Sequence, residues 1–421
     1  MCLCIASVSG LFLIGILKCS WIIYFQKQFK SRLESQIGSD SYMKAAYIHI
    51  PFCHHICHYC DFNKVFMKGQ PVDEYLEALG KEMELIVKDD RDVLDTIFVG
   101  GGTPTALNEN QLEKLVQRIQ KQLNFDSKTE YTFEANPGDL SKEKLAILKN
   151  AGVNRLSFGV QTFNDELLER IGRTHCAKDV FASIEAAKAV GFENISIDLI
   201  YSLPGQTKQD FIESIQTALS LGLVHYSGYS LIIEPKTVFY NLMQKGKLPI
   251  PGEDAEAEMY ETLMEQMELH GLHQYEISNF AVPGYESRHN ITYWNNEEYY
   301  GFGAGAHGYV NGIRQSNYGP LKKYMEPLSK GELPIMDAHR VTIEEKTEEE
   351  MFLGLRKTEG VSIRHFQEKF NENPIELYRD QIREWTSKGL LKTDEGRIFL
   401  TRQGRLLGNE VFQSFIGVSN R

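Results

Sequence analysis

Between residues 47 and 231 short runs rich in β-branched and aromatic side chains alternate with amphipathic segments, and this alternation restricts the fold more than any other feature. Residues 47–50, 95–99, 131–133, 156–160, 195–200 and 226–231 read as six strands. Between the first two, residues 71–88 place Val72, Tyr75, Leu76, Leu79, Met83 and Ile86 on one helical face. Leu112, Leu115, Val116, Ile119 and Leu123 repeat the pattern, and further helices are expected around Leu145 and Leu148, around Leu167, and over residues 180–190 and 209–221. Strands alternating with helices of this length build βα units and a parallel sheet. Six units fall short of the eight of a closed barrel. The expected fold class is therefore α/β, with an open, partial (β/α)6 barrel over residues 43–235. A C-terminal α+β extension over 236–344 and a winged-helix-like module over 345–421 follow. In that module helices are expected at 348–356, 363–370 and 375–388, with a hairpin around Asp394-Glu395-Gly396.

The residues at the ends of these strands are not those of a packed core. Cys53 follows the first strand, Gly100 the second, Glu134 the third, Gln161 the fourth and Asp198 the fifth. All lie at C-terminal ends, the edge where such barrels place their chemistry. Gly100-Gly101-Gly102-Thr103-Pro104 is a turn suited to close backbone approach, with N–H groups for a carboxylate- or amine-bearing ligand. A tight βα turn explains it equally well on its own. Glu134 would need a cationic or hydroxyl-rich partner in a barrel mouth, unless it merely bridges to a neighbouring helix. Arg173 falls in the loop after the fourth strand.

Three cysteines stand within eight residues, Cys53, Cys57 and Cys60, on one loop. A structural zinc site wants four protein ligands, which His54, His55 or His58 could complete. A [4Fe–4S] cluster held by three thiolates keeps one iron open for another ligand, and S-adenosylmethionine uses such a position. Seven cysteines in 421 residues do not make a disulfide framework. A net charge of −12 argues against a nucleic-acid binder, which would present a basic face.

Residues 1–42 differ in kind. Residues 2–17 are uncharged and 19–25 apolar, with Lys18 between them, and Lys27, Lys30 and Arg32 follow. This is a candidate membrane span, and the basic residues would keep the main body cytoplasmic and membrane-associated. A misassigned start is the reading preferred here, because Met43 immediately precedes the first strand and residues 26–42 are polar filler. The main body is expected in the cytoplasm.

The cysteine spacing, with Tyr59 before the third cysteine, resembles the radical SAM superfamily. The run Tyr47-x-His49-Ile50-Pro51-Phe52-Cys53, the glycine turn, Glu134-Ala135-Asn136-Pro137, Gly159-Val160-Gln161 and the stretch from Asp198 to Gly205 narrow the likeness. Together they are similar to the oxygen-independent coproporphyrinogen III oxidases and their relatives, over most of residues 44–410. The resemblance implies two S-adenosylmethionine molecules. Tyr47, Gly101 and Glu134 would contact the cluster-bound one, and Tyr59, Gly102, Thr103, Gln161, Arg173 and Asp198 would line the second site. The oxidases carry a fourth cysteine where this chain has Phe62, which argues against the decarboxylating activity. The element His289-Asn290-Ile291-Thr292-Tyr293-Trp294 is similar to that of HemW-type haem chaperones. That likeness implies haem as cargo, haem-requiring respiratory proteins at the membrane as partners, and His289 as a haem contact with Trp294 as apolar wall. A histidine among aromatics and glycines can equally well just close a domain.

Overall fold

The computed structural model describes residues 43–87 and 92–418. Residues 1–42, the candidate span, lie outside the described residues, and no helix among those described is long and apolar enough to cross a membrane.

The six expected strands form: β1 (Ala45–Ile50), β2 (Thr96–Gly101), β3 (Glu130–Ala135), β4 (Arg155–Gln161), β5 (Asn194–Tyr201) and β6 (His225–Ser230). They lie side by side in chain order and all run parallel. Helices α1 (Val72–Ile86), α2 (Glu109–Gln122), α3 (Lys142–Asn150), α4 (Asp165–Arg170), α5 (Ala177–Ala189) and α6 (Lys208–Ser220) connect them. Alternate strand residues such as Ile48, Ile97, Val99, Tyr131, Phe133, Leu156, Phe158, Ile195 and Ile197 face these helices in one large core. Their neighbours two apart, Glu130-Thr132-Glu134, Arg155-Ser157 and Ser196-Asp198, therefore face the barrel interior, because strand side chains alternate with a period of two.

The extension does more than follow the barrel. It supplies both flanks of one twelve-stranded sheet. On one side β7 (His273–Glu276) and β8 (Asn279–Ala281) add antiparallel to β6. On the other, β9 (Tyr299–Phe302) pairs parallel with β1, and β10 (His307–Val310), β11 (Ile313–Asn317) and β12 (Ile335–Arg340) continue antiparallel. The six-strand reading is correct for the barrel and silent on these flanks; on the β9 side the pairing joins segments some 250 residues apart (Tyr47 with Gly301).

Glu82 of α1 locks barrel to extension. It is fully buried and accepts hydrogen bonds from Tyr324 Oη (2.5 Å), Asn317 Nδ2 (2.5 Å) and Gly303 N (2.7 Å). Burial pushes its carboxyl up to about 7 against the three donors. A carboxyl raised in the fold favours its protonated form there. Its contribution is thus full below about pH 4.5, declines as pH rises towards 7, and is level above that. Roughly 3 kcal/mol of stability is expected to disappear across this window. Urea midpoints measured from pH 4.5 to 8 should show that decline in the wild type and a flatter profile in Glu82→Gln.

Beyond residue 340 a second core gathers Met351, Leu355, Phe366, Tyr378, Trp385, Leu391, Ile398 and Phe415. The first helix of this module, α7 (Ile343–Gly354), starts five residues before the sequence-based expectation. Thr342 and Glu345 form a reciprocal capping box, fixing the start ahead of the apolar pattern. The helix expected over 375–388 divides at the buried Tyr378 into Pro374–Leu377 and Arg379–Ser387. A three-stranded sheet, with Val361–Ser362 beside Arg397–Leu400 and Leu391–Asp394 outside, completes a winged-helix-like unit.

Candidate cofactor site

The cysteine loop is closed at its base. Phe52–Cys53 pairs with Val65–Phe66, with Val65 N–H on Pro51 O (2.8 Å) and Met67 N–H on Cys53 O (2.9 Å). Lys64 donates to Phe62 O (3.1 Å) and also to Cys60 O. His58 is tied down from the other side, its N–H to Ile171 O and its Nδ1 to Arg170 O, each at 3.0 Å. The loop thereby holds Cys53, Cys57 and Cys60 on the wall of an open cleft at the C-terminal edge of the strands.

The cleft brings together ten further residues of interest here. Tyr59, Gly101, Gly102, Thr103, Glu134, Gln161, Arg173 and Asp198, all expected from the sequence, line it, as do Asn136 and Phe62. Thr103 Oγ1 donates to Cys53 Sγ (3.6 Å), and Arg173 Nη1 to Cys57 Sγ (3.5 Å). Burial pushes the Cys53 thiol up to about 11 and that of Cys60 to about 12. Alone, these thiols are neutral; coordinated iron would hold them as thiolates.

One sequence inference about the glycine turn is corrected. Its N–H groups are engaged within the protein: Gly101 with Glu134 Oε2 (3.0 Å), Gly102 with Ile50 O (2.9 Å) and Thr103 with Phe52 O (2.8 Å). What the glycines supply is proximity. Gly101 has φ +112°, and a Cβ there would lie 2.5 Å from the His49 ring; one on Gly102 would lie 3.0 Å from Cys53 Sγ.

Burial pushes the Glu134 carboxyl up, with Asp198 adding to the effect and the Gly101 N–H opposing it. Asp198 Oδ1 is buried and lacks a hydrogen-bond partner. An orphaned carboxylate oxygen facing a cleft is costly unless a ligand supplies a donor. Gln161 reaches the cleft through a break in register between β4 and β5, with φ +71°. Gly159 clears the way for Arg173, whose Nη2 bonds Gly159 O. Asn136 was not singled out from the sequence; it donates to Thr103 Oγ1 (3.1 Å) and sits two residues beyond Glu134, the spacing that could have revealed it.

Two expected contacts stand apart. Tyr47 is not among the lining residues; its hydroxyl meets His49 Nδ1 (2.9 Å), while His49 Nε2 bonds Asn63 O (2.7 Å). His289 lies at the opposite end of the barrel. It is 1% exposed, with Nδ1 on Thr96 Oγ1 and Nε2 on Tyr293 Oη, both at 2.8 Å, and its ring stacked on Phe98. Thr96 opens β2, whereas the cleft lies where β2 ends. Both of its ring nitrogens are therefore engaged within the protein. The helix Arg288–Trp294 plugs the barrel floor, its first N–H groups held by Glu130 (3.0 and 3.1 Å). Trp294 is likewise buried, with the Arg356 guanidinium 4.4 Å above its ring. His289→Ala is expected to cost about 2–4 kcal/mol, by removing a packed ring and stranding two hydroxyls. Urea unfolding should show that loss while iron and sulfide content of the folded fraction stays at the wild-type level.

Among the described residues no three His, Cys, Asp or Glu side chains converge on a single-ion site. Three thiols distributed around a cleft fit a cluster whose irons are separate.

Comparison with known proteins agrees with this geometry. Residues 47–218 match the radical SAM superfamily and residues 341–407 the HemN C-terminal domain. The heme chaperone HemW of Bacillus subtilis is 60% identical over 377 residues, covering 89% of this chain and all of that protein. The heme chaperone HemW of Lactococcus lactis is 49% identical, covering 88% and 97%. The structure of coproporphyrinogen III oxidase (HemN) from Escherichia coli, a radical SAM enzyme, superposes with a TM-score of 0.80 at 22% identity, over 92% of this chain and 93% of that one. The last likeness concerns the fold. The chain belongs to the HemW family of the radical SAM superfamily.

Proposed function

We propose that this protein is a haem chaperone that holds a [4Fe–4S] cluster on Cys53, Cys57 and Cys60, binds S-adenosylmethionine beside it, and delivers haem to respiratory enzymes at the membrane. The observation that carries the cofactor part is the meeting of three thiols with Gly101, Gly102, Glu134 and Asp198 in one cleft. A cluster with three protein thiolates offers an open iron to an amine and carboxylate. Glu134 and Asp198 are suited to the cofactor's ammonium and hydroxyl groups. Thr103 and Arg173, already on the sulfurs of Cys53 and Cys57, would support the thiolates. Gly102, Tyr59 and Gln161 complete the wall against which a second molecule would lie. Tyr47 would act from beneath, through His49.

The chaperone part rests on the family and on Phe62, which lines the cleft in place of a fourth cysteine. Haem contact at His289 rests on the family resemblance alone, since both of its ring nitrogens are engaged within the protein. Anaerobically reconstituted protein should be titrated with haem, and separately incubated with coproporphyrinogen and S-adenosylmethionine. The reading expects a saturable Soret change and no release of carbon dioxide. Carbon dioxide release without haem affinity would establish the oxidase reading instead.

A further inference from the structure

Below the cleft, the interior positions of the barrel are Ala45 and Tyr47 on β1, Thr96 and Phe98 on β2, Glu130 and Thr132 on β3, Arg155 and Ser157 on β4, Asn194 and Ser196 on β5, and His225 and Ser227 on β6. None is Val, Leu or Ile, the residues that normally fill such a barrel. Within this polar interior Arg155 is 2% exposed. Its Nε has no hydrogen-bond partner, and no ion pair among the described residues includes it. A buried cation without a counter-charge is strongly disfavoured.

The groups around it make the same demand. In register, Arg155 is flanked by Thr132 on β3 and Asn194 on β5. The buried Thr132 hydroxyl has no partner. His225, on the next strand over, is buried and close enough for the Arg155 charge to act on it. Ser287 N–H donates to Tyr275 Oη (3.2 Å), and Tyr275 Oη bonds His225 Nε2 (2.9 Å). His225 Nδ1 is left without a partner. Arg155 Nε, Thr132 Oγ1 and His225 Nδ1 are thus three buried polar atoms at interior positions without partners, one of them on a cation. Asn194 Oδ1, in register with Arg155, also lacks a partner. The nearby carboxylate of Glu130 is directed away, accepting from the Arg288 and His289 N–H groups.

Water could hydrogen-bond to these groups but would leave Arg155 without an ion-pair partner. We propose that the floor of the barrel binds one small monovalent inorganic anion, of chloride or bicarbonate type, between Arg155, Thr132 and His225. The site is independent of the cofactor reading above, being separated from the cleft by the Ser157–Ser196 hydroxyl pair (2.8 Å).

The full chain should be melted in sodium bromide, sodium bicarbonate and sodium gluconate at matched ionic strength. At saturation the small anions should raise Tm by roughly 2 °C over gluconate, and Arg155→Met should abolish the difference. Crystals grown in bromide should show an anomalous peak within hydrogen-bonding distance of the Arg155 guanidinium. An equal rise in Arg155→Met would place the effect elsewhere and overturn the proposal. So would a site at Arg155 holding only water in crystals grown in bromide and in bicarbonate. The crystallographic arm decides the matter even where Arg155→Met fails to fold.

Discussion

Cys57→Ala should lose its cluster completely. Reconstituted wild type is expected to carry about four irons and four sulfides per chain, and the variant close to none, because two thiolates cannot retain a cubane. The loss should leave the fold standing. Cys57 is half-buried on a loop whose base is pinned by backbone hydrogen bonds from Val65 and Met67, so removing its sulfur empties no core position. Losing its contact with Arg173 leaves that guanidinium still bonded to Gly159 O. Iron and sulfide analysis beside a thermal melt separates the two effects. A variant retaining full iron and sulfide content would remove the assignment of these cysteines.

Gly101→Ala should disable S-adenosylmethionine binding while leaving the cysteines in place. Its φ of +112° lies where only glycine is comfortable. The new methyl would sit 2.5 Å from the His49 ring, which cannot retreat because Tyr47 and Asn63 hold both of its nitrogens. Strain and overpacking of this sort cost about 2–4 kcal/mol together. Relief requires the turn to move, breaking the Gly101 N–H bond to Glu134 and displacing that carboxylate. Affinity for S-adenosylmethionine should fall by roughly 100-fold, as the loss of two to three kcal/mol implies. Equilibrium binding to the reconstituted protein checks this, with iron content as the control. Undiminished affinity would mean that the turn does not shape the site.

The barrel was legible in the sequence because its information is local. A period near four on the helices and of two on the strands writes each βα unit into about thirty consecutive residues. The positions at strand ends then align themselves, which is why Cys53, Glu134, Gln161 and Asp198 could be named before their meeting place was seen. The flanking strands were not legible. Tyr299–Phe302 is four residues long, and nothing local to it specifies β1 as its partner. The partners of His289 were illegible for a related reason. A histidine among aromatic residues carries the same local pattern whether it faces a ligand or a hydroxyl from another strand, and Thr96, its partner, is 193 residues away. The glycine turn was located correctly and its N–H groups misjudged, since their acceptors belong to Ile50 of β1, to Phe52 and to Glu134.

The parallel pairing of β1 with β9 sets a problem of timing as the chain is made. β1 leaves the ribosome early, and β2 can cover one of its edges about fifty residues later. Its other edge must wait for Tyr299–Phe302, some 250 residues further on. At ordinary rates of synthesis that is roughly 12–50 seconds during which an apolar strand presents unpaired peptide groups. A nascent chain of this kind offers a template for pairing with a neighbouring copy on the same message. Expression slowed by cold, or a chain halted before residue 299, should therefore favour aggregates over soluble intermediates.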